Sequence, residues 1–300
     1  MTTALRTAHR DLRDVGLRGS FLVRDLDTGE EIGFDTETEW PIASLVKIPL
    51  ALATLERVAR SELDPARRLE VQPGRIATPG PAGLTKFRQP VTIALEDLLY
   101  LSVAVSDDTA GDVLFGLTPP AMVEAELARM GYGGINIRHS VRPLSETPAE
   151  RFDQSQGHLA QSLAIEGATD GHGHAVGQLD VSTANTGTAC AFIDLAQGLW
   201  RPTTITASAA ERVRELMGDN VNRQRLTPDF AADATRWASK TGTLLNLRHE
   251  VGVIEHPDGQ TIAVAAFTSS HVAATIQPSA EAVMAKVARD LHDELRVRAY

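Results

Sequence analysis

The chain has 300 residues, of which 43% are hydrophobic and 23% are charged, and it carries a net charge of −10 at pH 7. This composition is typical of a globular protein with one large domain or two closely packed subdomains. The acid excess argues against a nucleic-acid partner, because phosphate binding requires a basic surface.

No run of residues reaches transmembrane length, and the charged N-terminal segment lacks the apolar core of a secretory signal. We therefore expect no membrane partner and a cytoplasmic location, or a secreted protein if a leader has been removed.

In chain order, apolar periodicity and turn residues predict a helix at about 3–15, two strands near 19–25 and 30–34, and a helix from Ser44. The turn Asp27-Thr28-Gly29 joins the two strands. Further helices are predicted near 94–104, 107–116, 119–131 and 183–199. The last part of the chain returns to strands near 236–243, 249–256 and 260–268 and closes with a helix at about 278–297.

Strands at both ends of the chain, with helices between them, predict an α/β fold of the α+β type. One antiparallel sheet would be completed by both termini and flanked by the N- and C-terminal helices. We expect one catalytic domain over 1–300, with an α/β subdomain formed by 1–50 and 205–300. An all-helical subdomain would span 51–204, with a long loop at 140–180.

Three short motifs carry hydroxyl and amine groups of the kind that acyl transfer requires: Ser44-Leu45-Val46-Lys47, Ser106-Asp107-Asp108 and Lys240-Thr241-Gly242. The chain has 25 arginines but only four lysines, and two of the four lie in these motifs. A buried lysine can lose its proton and act as a base, whereas arginine keeps its proton. Together the motifs predict a serine hydrolase without a catalytic histidine.

Each motif also has a structural interpretation. Ser44 precedes an apolar helical run and could be a helix N-cap, and Ser106 likewise begins an ordinary helix N-terminus. Lys240 could be a lysine on an edge strand.

Longer stretches around the motifs resemble the class A β-lactamase superfamily of penicillin-recognising active-site serine enzymes. The segment GSFLVRDLDTGEEIGFDTETEWPIASLVKIPLALATL resembles the opening hairpin that runs into the nucleophile helix. The segment LEDLLYLSVAVSDDTAGDVLF resembles the helical stretch that carries the second motif, and RWASKTGTLLNLRHEVGVIEHPDGQTIAVAAFTSS resembles the closing hairpin. The resemblance covers about three quarters of the chain and leaves a gap at roughly 140–180.

These residues define the expected chemistry. Ser44 would attack an acyl carbon, and Lys47, one helical turn further on, would take its proton. Lys240 would place a second cation nearby and so disfavour the protonated form of Lys47, and Ser106 would relay a proton to the leaving amine. The resemblance implies an oxyanion hole formed by the backbone N–H groups of Ser44 and Thr243.

The expected substrate-binding residues are Asp108, Thr241, Gly242, Thr243 and Arg248. Thr241, Thr243 and Arg248 resemble positions that bind a substrate carboxylate, which hydroxyls and a guanidinium recognise well. A plain surface charge is the alternative for Arg248.

The sequence departs from the family pattern at two places. Asp108 stands where the family usually has Asn, and an ionised carboxylate only accepts hydrogen bonds, so it favours a substrate donor or an ammonium group. The E-x-x-L-N string of the water-activating Glu is also absent. The candidates for this base are Glu166, which has the family-like spacing, then Glu146, Glu150 and Asp153, although most of these carboxylates must be solvated loop charges.

Two remaining features predict no further chemistry. Cys190 lies in an apolar run, where a buried structural thiol is expected instead of a nucleophile. Asp170, His172 and His174 could bind zinc, but the glycine-rich spacing offers no third firm ligand, so we expect neither metal nor cofactor.

The sequence therefore predicts a serine hydrolase that acts on a small-molecule amide, a β-lactam or a related compound, through an acyl-enzyme on Ser44. One alternative is a covalent β-lactam-binding or sensor-like module with slow deacylation. Another is a biosynthetic amidase or acyltransferase that acts on a different amide.

Overall fold

A computed structural model describes residues 3–73, 82–168, 173–232 and 234–298. Its strands are β1 Leu17–Asp25, β2 Glu31–Phe34, β3 Trp40–Pro41, β4 Arg68–Val71, β5 Val91–Ala94, β6 Ile135–Asn136, β7 Thr186–Gly187, β8 Arg236–Leu244, β9 Leu247–Glu255 and β10 Thr261–Ser270. Its α-helices are α1 Thr3–Asp14, α2 Lys47–Ala59, α3 Leu95–Val103, α4 Asp108–Leu117, α5 Pro120–Met130, α6 Gly157–Glu166, α7 Ala189–Trp200, α8 Ala207–Gly218, α9 Thr227–Phe230 and α10 Pro278–Arg298.

The main sheet has five antiparallel strands in the order β2-β1-β10-β9-β8. Strand β1 pairs with β10 along its whole length, from Leu17 opposite Ser270 to Asp25 opposite Ile262. Helices α1 and α10 pack on one face of this sheet around buried residues such as Phe21, Val264 and Leu291. The predicted α+β fold, with one antiparallel sheet completed by both ends of the chain, is therefore confirmed.

The opposite face of the sheet and the helices of the middle of the chain enclose the larger core. Helix α2 lies at its centre and is buried from Lys47 to Glu56. A helix that is apolar nearly all round its circumference is stable only when other elements surround it. The residues that begin α2 are thereby fixed between the sheet and the helices.

The structure contains elements that the sequence analysis does not assign. Region 51–204 also holds the β4–β5 pair and the short strands β6 and β7, so it is not all helical. These strands are only two to four residues long, too short for the alternation of apolar residues to be recognised. The predicted loop at 140–180 contains α6, and α8 lies in a stretch without a predicted element.

No helix among the described residues combines the length and the apolar character needed to cross a membrane.

Candidate active site

Ser44 lies in a 3₁₀ turn, Ala43–Val46, between strand β3 and helix α2. Helix α2 begins at Lys47, and its N-cap residue, Val46, makes no side-chain capping bond, so Ser44 is not the cap of this helix. Ala43 has a φ of 48°, a left-handed conformation that costs free energy for a residue with a side chain. Strain of this kind is common where a fold holds a functional group in a fixed position.

The Lys47 amine lies within hydrogen-bond distance of Ser44, Ser106 and Asp108. Lys47 Nζ lies 3.4 Å from Ser44 Oγ and 3.4 Å from Ser106 Oγ. It donates to the Ser106 carbonyl at 2.7 Å and pairs with Asp108 Oδ1 at 2.5 Å. Since the Lys47 side chain is fully buried, these groups replace its hydration shell.

The second predicted lysine reaches the same hydroxyl from the sheet. Lys240 is fully buried on β8 and lies 2.9 Å from Ser106 Oγ and 2.8 Å from the Thr241 carbonyl. Burial lowers the pKa of Lys240 well below its usual value, and the charge of Lys47 lowers it further. Although β8 is an edge strand, Lys240 is therefore not an ordinary surface lysine.

Ser106 joins the two amines, and its φ of 64° is again left-handed. The strained residue is held by Asp107, which caps α4 by accepting from the backbone N–H groups of Thr109 at 2.9 Å and Ala110 at 3.1 Å. Asp107 also accepts from the backbone N–H of Leu84 and from the Thr85 hydroxyl. This buried carboxylate thus ties the segment at 83–86 to the loop that carries Ser106.

Gly242 lets strand β8 approach the turn of Ser44. A Cβ atom at this position would lie 2.9 Å from the Ile42 carbonyl oxygen and 3.1 Å from Leu45 Cγ. A larger residue would push the strand and the turn apart. Thr243 follows Gly242 on β8, and the oxyanion hole of Ser44 and Thr243 backbone N–H groups stays a prediction.

A buried arginine that the sequence analysis does not single out supports this strand. Arg225 is 1% exposed in its side chain, donates to the Gly242 and His249 carbonyls at 3.0 and 2.9 Å, and pairs with Glu281 at 3.0 Å. Its remaining nitrogen donates to Thr243 Oγ1 at 2.6 Å. Thr243 is exposed. The buried Arg225 cation polarises its hydroxyl, which makes that group a stronger hydrogen-bond donor towards solvent.

The Arg248 side chain contacts backbone carbonyls, and its expected role at a substrate carboxylate stays a prediction. Its guanidinium donates to the carbonyls of Leu245, Leu247 and Thr275 at 2.6 to 2.7 Å and is itself buried. Three of its five N–H groups are thereby engaged, and its Nε lies 3.7 Å from Glu281. The guanidinium that contacts Thr243 is that of Arg225.

Of the other substrate-binding candidates, Asp108 forms an ion pair with Lys47. Thr241 is buried, and its carbonyl accepts a hydrogen bond from the Lys240 amine.

The expected water-activating carboxylates belong to the segment at 140–180. Glu146 is exposed and pairs with Arg142 at 3.3 Å, Glu150 accepts from Thr147, and Asp153 and Glu166 are exposed. Among the described residues, neither Glu166 nor Glu146 contacts Ser44 or Lys47, so their role remains a prediction. The carboxylate that Lys47 does contact is Asp108.

The histidine on β9 has a structural role. His249 is fully buried, its Nδ1 accepts from the Thr268 N–H at 3.2 Å, and its Nε2 donates to the Pro41 carbonyl at 3.0 Å. Burial lowers its pKa to about 3, so it stays neutral. His249 therefore links β3, the strand before Ser44, to the main sheet. Both of its ring nitrogens are engaged in hydrogen bonds to the backbone and are not free to act in catalysis.

The metal hypothesis gains no support from the described residues. Asp170 and His172 lie outside them, while both ring nitrogens of His174 are engaged with backbone groups of Ala164 and Val176. The described part of the chain holds no group of three or more His, Cys, Asp or Glu side chains that could bind a metal.

Cys190 is half-buried, less buried than the sequence predicts. Burial, together with Glu37 and Asp194, raises the pKa of its thiol to about 11, so it is a poor nucleophile.

Glu250, opposite Thr241 in the sheet, gives a prediction about pH. Burial raises the pKa of this fully buried carboxyl above its ordinary value of 4.5. The folded state then keeps a proton that the unfolded chain has released, so the free energy of unfolding falls as the pH rises through the window above 4.5. A Glu250→Gln variant should show a weaker decline across this window in denaturant unfolding, whereas the exposed control Glu211→Gln should keep the wild-type slope. A full wild-type decline in Glu250→Gln would contradict this account.

The comparisons with known proteins agree with this geometry. The profile of the β-lactamase enzyme family matches residues 5–295. A protein of Streptomyces cacaoi described as "Beta-lactamase regulatory protein BlaB" is 58% identical over 302 residues, which cover 96% of this chain and 97% of that one. The chain therefore belongs to the β-lactamase enzyme family.

Solved structures show the same fold. A β-lactamase from Chitinophaga pinensis superposes with a TM-score of 0.77 at 18% identity and covers 98% of this chain and 100% of that one. A β-lactamase from Sphaerobacter thermophilus gives 0.75 at 20% identity, with 98% of each chain covered. A variant of the last common ancestor of Gram-negative bacteria β-lactamase class A gives 0.79 at 19% identity over 100% of both chains.

Proposed function

We propose that this protein is a serine hydrolase that reacts with a β-lactam, or a closely related amide, through an acyl-enzyme on Ser44. The observation that carries the proposal is the convergence of two buried lysines and two serine hydroxyls at the sheet edge, with Lys47 Nζ 3.4 Å from both hydroxyls and Lys240 Nζ 2.9 Å from Ser106. Acyl transfer requires a nucleophile, groups that carry protons and a buried, positively charged environment. The serine hydroxyls and the lysine amines can supply all three.

The substrate class follows from Thr243 and Arg225. The exposed Thr243 hydroxyl is polarised by the buried Arg225 guanidinium at 2.6 Å. Such a donor favours an anionic group on the substrate. A β-lactam that bears a carboxylate next to its ring nitrogen would place this group at Thr243 and the carbonyl carbon at Ser44.

A second candidate function is a covalent sensor that is acylated but released slowly. Lys47 is bound to Asp108, and among the described residues neither Glu166 nor Glu146 forms a hydrogen bond with Ser44 or Lys47. The Streptomyces cacaoi relative, at 58% identity, is described as a regulatory protein. Both observations favour a site in which deacylation is much slower than acylation.

Replacement of Ser44 by alanine is expected to abolish acylation, because no other hydroxyl lies on the strained turn beside Lys47. The wild type and Ser44→Ala would be incubated with a chromogenic cephalosporin and a fluorescent penicillin, and adducts measured by intact-protein mass spectrometry. Turnover lowered by at least about 10³-fold in Ser44→Ala supports the hydrolase.

A long-lived stoichiometric adduct on the wild type without turnover supports the sensor. An adduct that persists in Ser44→Ala would refute both functions, and a wild type inert to both probes would exclude β-lactams as substrates.

A further inference from the structure

The charges around Lys47 and Lys240 differ sharply. Lys47 Nζ faces the Asp108 carboxylate at 2.5 Å and the Ser106 carbonyl at 2.7 Å, which can only accept hydrogen bonds. A neutral Lys47 would leave the Asp108 charge uncompensated beside a fully buried side chain, at a high free-energy cost. The contacts thus hold Lys47 as an ammonium ion.

Lys240 has no such partner. Its amine contacts the Ser106 hydroxyl and the Thr241 carbonyl, and among the described residues it forms no ion pair. Burial disfavours a charge on this amine most strongly. Of the charged groups that act on it, Lys47 has the largest effect and disfavours a further positive charge, and Asp108 comes next and favours one. The smaller effects of Arg225 and Glu250 oppose each other in the same way. A neutral Lys240 amine can donate to Thr241 O and use its lone pair to accept from the Ser106 O–H.

We propose that Lys240, acting through Ser106, accepts the proton of Ser44, while Asp108 keeps Lys47 charged. The proposal rests on the acylation chemistry proposed above and reverses the roles that the sequence predicts for the two lysines. In this arrangement Lys47 stabilises negative charge on Ser44 Oγ, and Asp108 is a positioning residue that fixes the charge of Lys47.

One proton moves from Ser44 to the leaving nitrogen in the course of the proposed step. As Ser44 Oγ bonds to the carbonyl carbon, its proton passes to Ser106 Oγ, and the proton of Ser106 passes to Lys240 Nζ. The amide C–N bond then breaks, and the Lys240 ammonium returns one proton through Ser106 to the leaving nitrogen. Ser106 Oγ lies 2.9 Å from Lys240 Nζ, and both serine hydroxyls lie 3.4 Å from Lys47 Nζ. The two hydroxyls form no hydrogen bond with each other in this structure, so the transfer from Ser44 requires them to approach when the substrate binds.

The scarcity of lysine makes the charges directly measurable. In protein labelled with ¹³C and ¹⁵N only at lysine, four side-chain signals are expected, with Lys86 and Lys286 as exposed references. At about pH 7.5 one signal should have the shifts of a neutral amine, and this signal should disappear in Lys240→Arg but not in Lys47→Arg. If Lys240→Arg does not fold, Lys240→Met gives the same assignment.

The Asp108→Asn variant tests the other half of the proposal. It keeps the shape and one acceptor oxygen at this position but removes the charge. The Lys47 signal should then move towards the shifts of a neutral amine, because the carboxylate that holds its charge is gone. A Lys47 signal that keeps its ammonium shifts in this variant, or a neutral-amine signal that disappears in Lys47→Arg, would overturn the proposed assignment.

Kinetics separate this proposal from the proposed function. The acylation rate constant of Lys240→Arg should fall by about 10²- to 10⁴-fold, because a permanently charged guanidinium cannot accept the proton. Undiminished acylation in Lys240→Arg would overturn the proton path. If the lysine signals behave as expected but no β-lactam acylates the wild type, the proposed function fails while the assigned charges stand.

Discussion

Replacement of Arg225 by methionine is expected to lower the free energy of unfolding by about 3–5 kcal/mol. Arg225 satisfies the Gly242 and His249 carbonyls and neutralises Glu281, all in a buried setting. Methionine fills similar volume but removes the donor to the two carbonyls and leaves Glu281 only the more distant Arg248 guanidinium, at 3.7 Å. Loss of the cation behind Thr243 should also weaken reaction with carboxylate-bearing probes.

The measurement is denaturant unfolding, with Arg223→Met as the matched control. Arg223 is two residues away and exposed, so its replacement should change stability by no more than about 0.5 kcal/mol. Equal stabilities of the two variants would show that the buried network is not needed for folding.

The Asp107→Ala variant is expected to lose about 2–4 kcal/mol of unfolding free energy, because several donors lose their acceptor together. The backbone N–H groups of Leu84, Thr109 and Ala110 and the Thr85 hydroxyl all donate to this one carboxylate. The loop that holds Ser106 in its left-handed conformation should relax, and acylation should slow as well.

Asp97→Ala provides the comparison for Asp107→Ala, since Asp97 is an exposed acid in the first turn of α3. Its loss removes only a favourable interaction with the helix dipole, roughly 0.3–1 kcal/mol. If both variants unfold at the same denaturant concentration, the anchoring role given to Asp107 is wrong.

The sequence predicts that the motif side chains lie together, and the structure confirms this proximity. The three-residue spacing of Ser44 and Lys47 spans one turn, so the two side chains meet whatever the rest of the fold does. The motif at Lys240 requires a strand, and the apolar residues after it predict that strand correctly.

The supporting charges could not be predicted, because they depend on tertiary contacts. Nothing in the sequence separates buried Arg225 from exposed Arg223, and only the packed structure distinguishes them. Arg248 lies opposite Thr243 in the sheet, as an interacting pair would, yet its side chain turns towards backbone carbonyls. Strand register alone does not fix where a long side chain places its charge.

One missed element did leave a signal in the sequence. Helix α8 buries residues at helical spacing: Ala209, Ala210, Val213, Leu216 and Met217. This periodicity is recognisable, but the small alanines weaken it. Helix α6 lacks such a signal, because its buried residues are two alanines and a glutamine.

The order of the strands decides when the candidate site is assembled during synthesis. Strand β1 lies between β2 and β10, and β9 and β8 follow outward, so a nascent chain presents the Ser44 turn long before its sheet exists. During synthesis the serine has neither the Lys240 amine nor the Gly242 backbone beside it. The candidate site is then completed in one late step, when the C-terminal hairpin joins the sheet. Under the proposed function, ribosome-bound or prematurely terminated chains would therefore not be acylated.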